Sequence, residues 1–187
     1  MFSAKVINEF VSKKDCTYLI ETAIKSNLWQ NVESEFWNNR IINYDKILNF
    51  DRDAAIIMLD ANIRCGQKIK EEFDLDVPVY SDTLQIIRWF PGMEQTPHAD
   101  DMTNTNIQGF QHRVFGSIIY LNDDYKGGHT YYPDHNFEII PKSGSLAIHP
   151  GDPEHLHGVT KIENEIRYTI ASFWTYEKGK SHDWSLY

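Results

Sequence analysis

Near residue 83 this chain changes its hydrophobic period, and that change limits the folds open to it. Before it, apolar residues recur every three or four positions; after it, short β-branched and aromatic runs are separated by turn residues. Ser12 can cap a helix whose Cys16, Leu19, Ile20, Ala23 and Ile24 share one face. A second helix is predicted roughly from Asp51 to Phe73, with Ile56, Leu59, Ile63 and Ile69 packing into a core. From Thr83 onward, Leu84 to Trp89 ends at Pro91-Gly92, Val114 to Leu121 ends at Asn122-Asp123-Asp124, and Asn136 to Ile140 ends at Pro141. Gly144 to Ile148 and Ile166 to Trp174 complete the set. Strands this short and this regularly spaced predict a sandwich or barrel, so the expected class is mainly β with N-terminal helices (α+β). The expected organisation is one domain over residues 1–187, with helical support in 1–80 and the strand core in about 83–176.

Composition narrows the function classes. At 187 residues, with 41% hydrophobic and 13% aromatic content, the chain has material for a sizeable core. A net charge of −9 argues against a phosphate backbone as partner, because that binding is driven by clustered Lys and Arg, so no nucleic acid is expected. Cys16 and Cys65 both fall in predicted helices and fit reduced structural thiols better than a disulfide framework. There is no apolar run of about eighteen residues and no basic, hydrophobic leader at the N-terminus. The expectation is no membrane association and a cytoplasmic location.

His98 and Asp100 stand two residues apart after Pro97, which biases the chain towards extended backbone. On an extended segment both side chains point to one face and can reach one metal ion. Two imidazoles and one carboxylate suit ferrous iron and leave coordination positions open for reactants. Several histidines compete for the third position: His149, His155 and His157 downstream, with His112, His129 and His135 between the two halves. His155 and His157 share strand parity, so geometry alone leaves both open. Arg167 follows His157 by ten residues, and its planar fork can bind both oxygens of a carboxylate.

These residues belong to a longer series. Gln85-Ile86-Ile87-Arg88-Trp89-Phe90-Pro91-Gly92, His98 with Asp100, Tyr120-Leu121-Asn122, Gly127-Gly128-His129-Thr130, Pro141-Lys142 with Gly144 and Leu146, His157-Gly158-Val159 and Arg167-Tyr168 follow in order. The series resembles the 2-oxoglutarate- and Fe(II)-dependent dioxygenases, in their prolyl 4-hydroxylase-like branch. The likeness covers roughly residues 84–175, with a looser one over Val6-Ile7-Asn8-Glu9-Phe10-Val11-Ser12. It implies a double-stranded β-helix (jelly roll) whose iron ligands are His98, Asp100 and His157, the last chosen for its His-Gly-Val context. It further implies that Arg167 and Tyr120 hold the distal carboxylate of 2-oxoglutarate. Trp89 stands where family members often carry tyrosine, and is carried as a cosubstrate contact with an indole donor in place of a phenol.

On the substrate side, the resemblance places Arg113 where prolyl hydroxylases carry a substrate-contacting arginine. The family's substrate-side tryptophan aligns with Phe173, with Trp174 one place later, and both are carried as candidates although neighbours on a strand face opposite ways. Trp29 to Lys46 reads as strand and loop that could form a lid, with Trp29 and Trp37 as candidate contacts. The polar connection Asp101 to Gln111 is expected to border the substrate entrance.

The activity implied is hydroxylation of a C–H bond, foremost in a prolyl residue of a peptide or protein, using Fe(II), 2-oxoglutarate and O2 and releasing succinate and CO2. Ascorbate is an accompanying expectation. Hydroxylation of a free amino acid or other small molecule would share every residue named so far except the substrate-side ones. A nucleic-acid demethylase would be expected to carry a second arginine at the position of Phe173. A non-catalytic jelly-roll metal- or ligand-binding protein would explain the strands but not Tyr120 and Arg167 beside the triad.

Overall fold

The structure, a computed structural model, describes residues 3–103, 105 and 107–182. In chain order the elements are β1 (Lys5–Ile7), α1 (Lys13–Ser26), β2 (Ile41–Asn43), α2 (Tyr44–Phe50), α3 (Arg52–Glu72), β3 (Tyr80–Ser81), β4 (Gln85–Trp89) and β5 (Gln95–His98). They continue with β6 (Phe115–Tyr120), β7 (Lys126–Gly127), β8 (Thr130–Tyr132), β9 (Phe137–Ile139), β10 (Leu146–Pro150), β11 (His157–Val159), β12 (Ile162–Asn164) and β13 (Arg167–Thr175).

The helices start where the sequence offers caps. Ser12 Oγ accepts from the Asp15 amide at 3.1 Å, and Asp51 Oδ1 accepts from the Ala54 amide at 3.0 Å. Asp51 also accepts from the Tyr18 and Thr22 hydroxyls, so one carboxylate caps α3 and ties α1 to it. The faces these helices bury differ from expectation. In α1 the buried set is Cys16, Leu19, Thr22 and Ala23, with Ile24 exposed. In α3 it is Ala54, Ala55, Met58, Ala61, Asn62, Cys65, Gly66 and Ile69, whereas Ile56 and Ile63 are 57% and 55% exposed. Close approach to a sheet selects small residues, and the larger isoleucines lie on the opposite side of the helix. Helix α2 is a further departure, because it begins inside the segment read as strand and loop.

The strands form antiparallel sheets in the expected jelly-roll arrangement. The major sheet has the order β1-β10-β6-β13-β4-β2, with β3 paired to the end of β13; the minor sheet runs β5-β11-β8-β9, and β12 pairs β7. Register sorts the major sheet into two faces. Trp89 pairs Arg167, Thr169 pairs Tyr120, Ala171 pairs Ile118, and Gly116 pairs both Phe173 and His149, so these residues share the face towards the minor sheet. Ile86, Ile119, Ile148, Ile170 and Trp174 occupy the other face, in the core shared with the three helices. Cys16 and Cys65 are buried free thiols, pushed up to about 11 and about 12 by burial, as expected of structural cysteines. Among the described residues no helix is long and apolar enough to cross a membrane.

Trp174 is therefore a core residue, and its assignment to the substrate side is corrected. Its indole N–H donates to Ser117 Oγ at 2.9 Å, and its ring lies so close to α3 that a Cβ at Gly66 would come within 2.9 Å of it. The one-residue step from Phe173 turns it through the sheet. Trp174→Ala should cost about 3–5 kcal/mol of stability, as large-to-small changes of buried aromatics do. Urea unfolding checks this, with iron(II) affinity measured beside it; a change in affinity at unaltered stability would put Trp174 back in the site.

Candidate active site

A cavity of about 510 Å³ opens between the two sheets. Its walls are largely apolar, from Ile41, Ile87, Trp89, Ile118, Val159 and Phe173 among others, and His98, Asp100, His157, Arg113 and Arg167 project into it. Strand alternation and an adjacent turn put these five chemical groups in one space.

The ligand atoms of His98, Asp100 and His157 lie within 4.8 Å of one another. β11 pairs β5 with His157 directly opposite His98. Asp100 arrives differently from the expected strand pleat: β5 ends at His98, and the carboxylate is delivered by the turn that follows, anchored where the Asp101 amide donates to Gly151 O at 3.0 Å. Asp100 Oδ1 then sits 3.9 Å from His98 Nε2 and 3.6 Å from His157 Nε2. Each ring is oriented from behind, since His98 Nδ1 donates to Thr96 O at 3.2 Å and His157 Nδ1 to His155 O at 3.1 Å. Those bonds leave both Nε2 atoms as acceptors facing the carboxylate.

The donor set fits iron(II). Asp100 is 3% exposed and its Oδ2 has no hydrogen-bond partner, a state that costs free energy unless a cation compensates it. His157 is pushed down to about 3, by burial first and then by the neighbouring His149. The imidazole is thus held in the neutral form a metal needs. His149, 1% exposed, packs against His157 with ring centroids 4.1 Å apart and the rings tilted by 55°, and is pushed down to about 4, chiefly by burial. Its Nδ1 donates to Pro150 O at 3.1 Å, making it a wall behind the triad.

These depressed values predict how the metal-free protein responds to acid. Above the ordinary histidine value of 6.5 both states are neutral and pH has no effect through these groups. Below it the unfolded chain takes up protons first, so stability falls with pH until about 4 for His149 and about 3 for His157. Urea midpoints of metal-free protein should drop from pH 7 to pH 5, and a His149→Phe variant should show a shallower drop. Parallel pH profiles for the two proteins would contradict this.

Arg167 supplies the second chemical element of the cavity. It is 1% exposed, yet its Nε and Nη2 have no hydrogen-bond partner. Three aromatic residues surround it: Trp89 and Tyr120, each with its ring centre 5.3 Å from the guanidinium carbon, and Tyr125, which packs with Arg167 over Gly128. Trp89 Nε1 and the Tyr125 hydroxyl are also buried without partners, while the Tyr120 hydroxyl shares a 2.7 Å hydrogen bond with Thr130 Oγ1. Burial raises both phenols, so they stay protonated and can donate. A desolvated cation ringed by unused donors fits the far carboxylate of a dicarboxylic acid. Tyr125 was not expected here, because nothing in its local sequence marks it, and Thr130 stood in the Gly127-Gly128-His129-Thr130 element without a role assigned to it.

The remaining predicted residues separate cleanly. Arg113 and Phe173 line the cavity together, the guanidinium carbon 3.8 Å from the Phe173 ring centre. His155 lies on a short 3-10 turn, Pro153–His155, with its Nδ1 at 2.8 Å from Asp152 Oδ1, so it does not join the triad. His129 pairs with Glu138, His135 reaches Glu154 O at 2.7 Å, and His112 bonds Asp82. Of the lid candidates Trp37 lines the cavity, while Trp29 packs towards Tyr168 and Arg88 on the helix side. Met102, Ile107 and Phe110 bring the 101–111 connection to the rim; positions 104 and 106 of it lie outside the described residues. Arg40, also unforeseen, is fully buried among Phe36, Trp37 and Trp89, its guanidinium carbon 4.0 Å from the Trp89 ring centre. Burial, with Arg167 nearby, pushes it down to about 10. It fixes the segment around Phe36 and Trp37 to the wall beside Arg167.

Known proteins resemble this chain in sequence and in fold. A putative prolyl 4-hydroxylase of Acanthamoeba polyphaga mimivirus is 27% identical over 112 residues, which cover 52% of this chain and 46% of that protein. Prolyl 4-hydroxylase 1 of Arabidopsis thaliana is 24% identical, covering 94% of this chain and 69% of that one. The chain thus spans about half the length of the first of these relatives. In three dimensions it is similar to the viral collagen prolyl hydroxylase of Paramecium Bursaria Chlorella virus-1 in complex with 2OG, with a TM-score of 0.71 at 19% identity, covering 94% of this chain and 97% of that one. Residues 84–176, from the approach to β4 to the end of β13, match the profile of the 2OG-Fe(II) oxygenase superfamily and contain the triad and Arg167, so this region of the chain belongs to that superfamily.

Proposed function

We propose that the protein hydroxylates prolyl residues of a peptide or protein with Fe(II), O2 and 2-oxoglutarate, releasing succinate and CO2. The observation that carries the reaction type is the buried, unpaired edge of Arg167 in the same cavity as the triad. Metal-binding alone would not call for a desolvated guanidinium, whose burial without a counter-ion is costly. This also disfavours a non-catalytic binding protein.

His98, Asp100 and His157 would hold the iron, and Arg167 with Trp89, Tyr120 and Tyr125 would hold the far carboxylate of 2-oxoglutarate. When bound, these two groups supply dioxygen activation and the electrons for it. The chain's own share is placement and exclusion of water: the apolar walls from Ile87, Ile118 and Val159 leave few polar contacts to compete, and Trp37 adds an aromatic wall. No side-chain general base is required. Proline as target is supported by the relatives named prolyl 4-hydroxylases and by Arg113 and Phe173 in the cavity lining. Ascorbate as accompanying reductant, a cytoplasmic location, and the absence of nucleic-acid and membrane partners belong to the same proposal.

The test is mass spectrometry of proline-containing peptides and of free amino acids after incubation with iron(II), ascorbate and 2-oxoglutarate. The expected result is the gain of one oxygen atom on a prolyl residue, matched by succinate. Oxygen gained only by free amino acids would move the assignment to a small-molecule hydroxylase.

A further inference from the structure

Asp82, in the turn between β3 and β4, was singled out by nothing in the sequence, yet it organises the substrate side of the cavity. Its Oδ2 accepts two hydrogen bonds, from Arg113 Nε and from His112 Nε2, each at 2.9 Å. Its other oxygen accepts from the Thr83 hydroxyl, and its amide donates to Phe173 O at 2.9 Å, which locks the turn to β13. The Asp82 and Arg113 side chains are only 9% and 12% exposed. The guanidinium is flanked by Phe173 and Phe110, with ring centres at 3.8 and 4.4 Å. Arg113, Phe110, Phe173 and Thr83 line the cavity, whereas Asp82 stands behind them.

Arg113 thus differs from Arg167 in one decisive respect. Arg167 is an unneutralised cation with free donors; Arg113 has its counter-ion already, while its two Nη groups bond to no described residue and remain available. A carboxylate entering there would put a second anion on one cation in a partly desolvated place, which repulsion from Asp82 opposes. An amide carbonyl accepts the same N–H groups without that cost.

We propose that Asp82 is a specificity-determining residue: by neutralising and orienting Arg113, it makes the substrate side select a neutral peptide carbonyl over a free carboxylate. The favoured substrate is then an internal residue of a polypeptide, and free amino acids and chain-terminal residues are disfavoured. This rests on the prolyl hydroxylase reading and sharpens it. Asp82 touches no reacting atom; it acts through Arg113.

The experiment compares equilibrium binding of two capped peptides that differ only in ending, after proline, in an amide or in a free carboxylate. The protein is loaded with iron(II) and 2-oxoglutarate under nitrogen, so that no turnover occurs, and the visible band of that complex reports an assembled site. Wild type should prefer the amide by about tenfold or more, the size expected of one charge-assisted contact. Asp82→Asn should bring the preference close to unity, and Asp82→Glu, which keeps the charge, should retain it. Equal binding of both peptides by wild type, binding of neither, or an unchanged preference in Asp82→Asn would overturn the proposal. Admitting air then separates the two ideas: a clear amide preference with no oxygen gained at proline would remove the proline assignment and leave the role of Asp82 standing.

Discussion

Asp100→Ala is expected to weaken iron(II) binding by more than about 100-fold and to abolish iron-dependent succinate formation, since even the outer partners of metal ligands are worth about 10–100-fold. Asp100 is the only carboxylate of the triad, and its Oδ1 is within 3.9 Å of both histidine Nε2 atoms. Removing it leaves two imidazoles, which bring no negative charge to offset a divalent cation in a mostly apolar cavity. The fold should survive, because Asp100 Oδ2 has no hydrogen-bond partner to lose. Anaerobic iron titration and a succinate assay check both parts. Succinate formation at the wild-type rate would remove Asp100 from the metal site.

Gly116→Ala should produce a comparable loss without touching any ligand. Gly116 lies in the central strand β6, and a Cβ there would come 2.0 Å from Asp100 Oδ2 and 2.6 Å from His149 Cε1. Contacts that short force displacement, and both neighbours are held: His149 by its packing against His157, Asp100 by the turn bonded to Gly151. The expected outcome is an iron affinity lowered by about 10–100-fold, as for other changes that disturb ligand orientation, with the circular dichroism of the folded protein retained. A smaller effect is expected from Ile118→Ala one turn of the pleat away, which also faces the cavity but does not press on the ligands. Wild-type iron affinity in Gly116→Ala would show that the carboxylate position is not what this glycine protects.

The two classes of site residue differ in how visible they were beforehand. His98, Asp100, His157 and Arg167 carry unusual chemistry in a recognisable order, and the structure brings all four to one cavity. Trp89 and Phe173 share that cavity because strand register is periodic and survives small errors in strand ends. Trp174 illustrates the same rule from the other side, since one residue decides between cavity and core. The placement of Asp100 was right for a different reason than the expected one, a turn in place of a pleat. Residues whose importance comes only from where they land stayed invisible: Asp82 behind Arg113, Arg40 among three aromatic rings, Tyr125 beside Arg167, and Gly116 under the carboxylate.

By itself the sequence determined the succession of helices and short strands, the residue types of the candidate iron site, and the cation ten positions beyond His157. Those properties are local, set by periodicity, capping and side-chain chemistry. Only the tertiary structure decided which helix faces were buried, that a turn rather than a strand delivers Asp100, and which of two arginines kept an unpaired charge. These depend on distances between segments far apart in the chain. Charge balance at Arg113 and Arg167 is the clearest case, since the residue type is the same and only a neighbour brought in by folding makes one a free anion site and the other a neutral donor pair.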